Sequence, residues 1–110
     1  AIHIMGRSKD MIVSGGINVY PAEVESVIAT VPGVLEVAIV GLADDEWGEV
    51  LHAFVVPGSN DTLDLRDIHT VCQAELVRYK QPKGITLLSE LPRNASGKIL
   101  KKVLRKHFDP

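Results

Sequence analysis

Two stretches, Val34–Leu42 and Val50–Val56, constrain the fold more than anything else in the chain. Both are dense in β-branched and apolar residues and read as two buried strands joined by the acidic segment Ala43–Glu49. Helical patterns flank them. Pro21 opens a helix, where its missing N–H costs nothing, and Glu23 and Glu25 suit the positive end of the helix dipole. Val24, Val27, Ile28 and Val31 recur at i, i+3, i+4 and i+7, and Pro32-Gly33 stops the run. A second helix is expected from about Asp64 to Tyr79, with Leu65, Ile68, Cys72, Leu76 and Tyr79 on one face.

Shorter elements fill the rest. Strand character recurs at Ile2–Met5, Met11–Ser14 and Gly16–Val19, with Gly15-Gly16 as punctuation, and again at Gly84–Ser89 after Pro82. Gly58–Asp61 reads as a turn. A last helix is expected over Lys98–His107, carrying Ile99, Leu100, Val103 and Leu104 inward. The order gives an α+β domain: a short β-hairpin and a mixed sheet packed by about three helices. Residues 1–110 are enough for one domain with one modest core. Ala1–Met5 alternates from its first residue, as if the chain began inside a structural element cut from something larger.

Several function classes are disfavoured. No stretch approaches the roughly 20 apolar residues of a membrane span. Cys72 is the only cysteine, so no internal disulfide is expected and a cytoplasmic setting is the default. His69 and Cys72, three apart on a helix, have no second ligand pair nearby, and no metal site is expected. Net charge is −2 but unevenly spread: residues 1–77 hold 3 basic and 12 acidic residues, residues 78–110 hold 9 basic and 2 acidic. The basic end suits a phosphate-bearing partner, yet no aromatic residues interleave it, and nucleic-acid binding is not expected.

Two motifs remain. "GRSKDMIVSGGINVYPAEVE" (6–25) crowds Arg7, Lys9 and Asp10 beside a glycine pair, which suits a hinge or a loop that approaches a ligand closely. "LPRNASGK" (91–98) places Lys98 at an expected helix start, where the dipole makes a lysine unfavourable for stability but good for binding an anion. Each has a simpler reading alone: a glycine turn between strands followed by a helix for 6–25, and a turn, a glycine, a helix start and a solvated lysine for 91–98.

Together, with "YKQPK" (79–83) before the second, they resemble the last two core motifs of the adenylate-forming superfamily of acyl-CoA synthetases, adenylation domains and luciferases. The resemblance covers essentially the whole chain. It implies the C-terminal lid domain of an ATP-dependent acyl-CoA synthetase, an acid–thiol ligase whose ATP- and acyl-binding N-terminal domain would be its main partner. In such enzymes a carboxylic acid and ATP, with Mg, give an acyl-adenylate and pyrophosphate. CoA then takes the acyl group, releasing AMP. The resemblance implies Lys98 as the adenylation lysine, Lys9 as the hinge and Arg7 as a residue near the nucleotide. It also implies Ser14, Gly15, Gly16, Ile17 and Asn18 as the loop serving the thioester step. The alternatives are a stand-alone binding or regulatory module with this fold, or the lid of an adenylation domain with a different acceptor.

Overall fold

A computed structural model describes residues 11–46, 48–58 and 63–106. Its element order is β1 (Ile12–Ser14), β2 (Ile17–Val19), α1 (Pro21–Ile28), β3 (Val34–Asp44), β4 (Gly48–Pro57), α2 (Leu65–Glu75), a 3₁₀ turn (Arg78–Lys80), β5 (Gly84–Leu87) and α3 (Lys101–Arg105). The expected strand Ile2–Met5 lies outside the described residues.

The two apolar runs pair with each other. β3 and β4 form an antiparallel ladder from Val34↔Pro57 to Asp44↔Gly48, each strand reaching slightly past the stretch its sequence suggested. On its other edge β4 takes β5 in parallel, His52↔Gly84 to Val55↔Leu87, and β1 at Ser14↔Gly48, with β2 beyond β1. The sheet is mixed, and the fold is α+β as expected.

Why the two strands lack polar alternation is visible in what covers them. Side chains alternate across a sheet with period 2. Ile39, Leu51, Ala53 and Val55 pack on one face with Val24, Ile28, Ile68 and Cys72 from α1 and α2. Ala38, Val40, Phe54 and Val56 pack on the other face with Leu91 and Leu104, supported by Ile99. A strand buried on both sides reads as a continuous apolar run.

The helices are shorter than the sequence suggests. Pro21 sits at the start of α1, and Glu23 meets Lys80 at 2.9 Å. Asp64 caps α2, its carboxylate accepting the Arg66 N–H at 2.9 Å. α2 stops at Glu75 and not near Tyr79: Leu76 turns extended (φ −122°, ψ 139°), and its carbonyl accepts from Gln81 Nε2 at 3.0 Å. Leu65, expected inward, is 39% exposed. The final helix is Lys101–Arg105, not 98–107, and Val103 on it points out, 48% exposed.

Phe54 is fully buried against the segment that carries the candidate lysine. Phe54→Ala should destabilise the domain by about 3–5 kcal/mol, read from urea unfolding, through lost burial and a cavity that the sheet cannot collapse to fill. Cys72 is also buried, and burial raises its thiol pKa. It should react with a thiol reagent only as fast as the domain unfolds; rapid labelling of the native domain would contradict this packing.

Candidate functional site

Lys98 lies on a tight hairpin, not at the start of a helix. Arg93 and Ile99 form an isolated antiparallel bridge, and the Leu100 N–H donates to the Pro92 carbonyl at 2.8 Å. Asn94 organises the tip. Its Oδ1 accepts the N–H of Ser96 at 2.9 Å and of Lys98 at 3.0 Å. Its backbone N–H donates to the Lys98 carbonyl at 3.0 Å, and its carbonyl accepts the Gly97 N–H at 2.9 Å. A side chain that captures nearby amides in this way competes with helix formation, which explains why the expected helix start fails. Gly97 reverses the chain at φ +86°. A Cβ on it would meet nothing within 4 Å, so the backbone angle, and not space, calls for glycine there.

The helix dipole therefore gives no account of Lys98. α3 begins three residues later and runs for only 5 residues. The electrostatics rest on side chains instead. Lys98 is exposed and, among the described residues, forms no ion pair. It lines an open groove of about 450 Å³ with Ile99, Lys102, Arg105 and the Glu25–Lys101 pair. Lys101 is neutralised by Glu25 at 2.9 Å, which leaves Lys98, Lys102 and Arg105 to make the groove cationic. Such a surface attracts anionic groups.

Glu25 and Arg93 anchor this region; from sequence Glu25 is expected only to favour the helix dipole, and Arg93 carries no expected role. The same Glu25 oxygen that meets Lys101 accepts the Ile39 N–H at 2.9 Å, filling an amide on the free edge of β3. Arg93 pairs with Glu36 of β3 and donates from its other terminal nitrogen to the Gly97 carbonyl at 2.9 Å. The partners are 57 and 76 positions apart, a separation at which one sequence carries no local signal. The Asn three residues before a left-handed glycine was the available clue to the loop itself.

The Gly15-Gly16 pair forms the two-residue turn of the β1–β2 hairpin, with φ +60° and +82°. Positive φ at both positions is what a type I′ turn demands. Gly15, Gly16, Ile17 and Asn18 are exposed, whereas Ser14 is 2% exposed and faces inward. Within the domain a Cβ on Gly16 would meet nothing within 4 Å. Arg7 and Lys9 lie outside the described residues. His69 is exposed on α2 while Cys72 is buried, so the two do not converge. Among the described residues no group of three or more His, Cys, Asp or Glu could hold a metal, and no helix is long and apolar enough to cross a membrane.

Residues 23–98 match the AMP-binding enzyme C-terminal domain. The chain is 51% identical over 107 residues to the long-chain-fatty-acid–CoA ligase FadD13 of Mycobacterium tuberculosis, covering 97% of this chain and 21% of that protein. It is 45% identical over 105 residues to a 2-succinylbenzoate–CoA ligase of Bacillus mycoides, covering 96% of this chain and 21% of that one. The crystal structure of ATP-bound MatB from Rhodopseudomonas palustris superposes with a TM-score of 0.86 at 38% identity, over 92% of this chain and 20% of that one. The chain thus spans about a fifth of the length of the curated relatives it matches, 21% in the first case. The chain therefore belongs to the AMP-binding enzyme C-terminal domain family.

Proposed function

We propose that this domain is the mobile lid of an ATP-dependent acyl-CoA synthetase and that Lys98 is its adenylation lysine. The observation that carries the reading is the Lys98 hairpin: a backbone fixed by several hydrogen bonds presents an exposed cation beside a basic groove. Attack of a carboxylate oxygen on the α-phosphorus of ATP breaks the bond to pyrophosphate. Negative charge gathers on the phosphoryl oxygens and on the leaving group. A lysine brought against them out of water stabilises that charge more in the transition state than in the ground state. ATP and Mg would be held mainly by the N-terminal domain, with Arg7 near the nucleotide.

Rotation at Lys9 would then withdraw Lys98 and bring in Gly15, Gly16, Ile17 and Asn18, with Ser14 as the buried root of that hairpin. CoA's sulfur attacks the acyl carbonyl and AMP leaves with its bonding pair. An exposed glycine turn fits this role because it presents backbone without side chains to a narrow thiol arm. Two steps sharing one rigid domain are a conformational gating scheme. The relatives carry different acyl groups in their names, so the acyl chain is set elsewhere. The free, buried Cys72 fits a reducing cytoplasmic setting.

In the complete ligase, Lys98→Ala should lower adenylate formation, read as pyrophosphate exchange, by about 10²–10³-fold. Conversion of supplied acyl-adenylate and CoA to thioester should stay near wild type. Equal loss of both half-reactions would remove Lys98 from this role.

Gly16→Leu should do the reverse, slowing thioester formation and sparing pyrophosphate exchange. Gly16→Asn tolerates the left-handed turn and should keep the hairpin, but should still slow the CoA step because its side chain occupies the approach. A fall in adenylation for either variant would refute the loop assignment.

A further inference from the structure

Lys98 is preceded by a peptide group whose two polar atoms are both held. The Gly97 carbonyl accepts from Arg93 Nη1 at 2.9 Å, and the Lys98 N–H of the same peptide donates to Asn94 Oδ1 at 3.0 Å. The Lys98 carbonyl is taken by the Asn94 N–H at 3.0 Å. Asn94 closes the loop on itself, but Arg93 does more, because its other terminal nitrogen pairs with Glu36 on β3. One guanidinium thereby ties the peptide before the lysine to the central sheet. Arg suits this task, since its planar fork fixes two directions at once.

β3 is shaped for the same contact. Its ladder with β4 slips between Val34 and Glu36, leaving Leu35 as the extra residue, 65% exposed. A bulge of this kind re-aims the side chains beside it. Val34 packs toward the α1–α2 face, while Glu36, two residues before Ala38, shares the face on which Leu91, Ile99 and Leu104 lie. The Glu36 and Arg93 side chains are 31% and 40% exposed, so the pair is half-solvated and contributes little to folding stability. Its geometry, not its energy, is what the fold retains.

We infer that Glu36 and Arg93 are positioning residues for adenylation: Glu36 orients Arg93, Arg93 fixes the Gly97–Lys98 peptide, and the lysine ammonium is thereby delivered in one place. This rests on the assignment of Lys98 made above. Neither residue touches the reacting atoms. Displacing a catalytic group by about 1 Å costs on the order of 100-fold in rate, which sets the scale of the effect.

The test uses the complete ligase and both half-reactions. Arg93→Ala and Glu36→Ala should each lower kcat for pyrophosphate exchange by roughly 10- to 100-fold, with KM for ATP little changed and the thioester half-reaction spared. Glu36→Gln, which keeps an oxygen for the guanidinium, should recover most of the Glu36→Ala loss. The Glu36→Ala/Arg93→Ala double variant should be no slower than Arg93→Ala, as expected for two residues acting through one contact. Equal loss of both half-reactions, a normal rate for Glu36→Ala beside a slow Arg93→Ala, or additive losses would each overturn the inference. Lys98→Ala serves as the reference. If it leaves pyrophosphate exchange intact, the lysine assignment fails and nothing remains to be positioned. If it lowers exchange as expected while Arg93→Ala and Glu36→Ala leave the exchange rate at the wild-type value, only the positioning role fails.

Discussion

Everything in this domain hangs on the β3–β4 ladder and on the parity it imposes. Because side chains alternate, odd-numbered residues of β3 beyond the bulge at Leu35 face α1 and α2, and even-numbered ones face the 91–104 segment. The first face is a packed helical layer. The second supports the Lys98 hairpin, with Phe54, Leu91 and Leu104 beneath it. A one-residue slip would exchange the two faces and leave both layers without their apolar seats. The bulge at Leu35 is the one place where that register is broken, and it lies where Glu36 meets Arg93.

Onto this ladder the site is fastened by two carboxylates from different elements. Glu25 of α1 reaches past the edge of β3, takes the Ile39 amide and holds Lys101, so α3 is secured to both helix and sheet. Glu36 holds the hairpin itself through Arg93. The two attachments lie on either side of Lys98 in sequence. Lys98, the residue between them, is left exposed and without an ion-pair partner among the described residues. Such an arrangement fits the proposed reaction, in which the lysine must meet negative charge that grows in the transition state. A ground-state carboxylate beside Lys98 would compete with that charge.

Much of this was legible in the sequence because the signals were local. Apolar runs located β3 and β4, the Val24/Ile28/Val31 stripe located α1, and Gly15-Gly16 located the hairpin. Around Lys98 the local pattern suggests a helix start, and the structure holds a hairpin instead. A glycine followed by a lysine and an apolar run resembles a helix start, whereas Asn94 spends its side chain and backbone on the amides that a helix would have used. Val103 lies within α3 yet is 48% exposed, because this short helix buries only Leu104. Which face each strand residue takes could not be read, since both faces are apolar. Nor could the Glu25–Lys101 and Glu36–Arg93 pairs, because they join elements that only the folded sheet brings together.

In the proposed role the hairpin is already built to deliver Lys98 to the adenylation centre. The most direct test of that role is a crystal structure of the complete ligase with ATP and a non-reactive carboxylate analogue. Lys98 Nζ is expected within hydrogen-bond distance of an α-phosphoryl oxygen, with the Gly97–Lys98 peptide still held by Arg93 and Asn94. A Lys98 pointing to solvent in that complex, or a hairpin refolded away from Arg93 to reach the nucleotide, would contradict it.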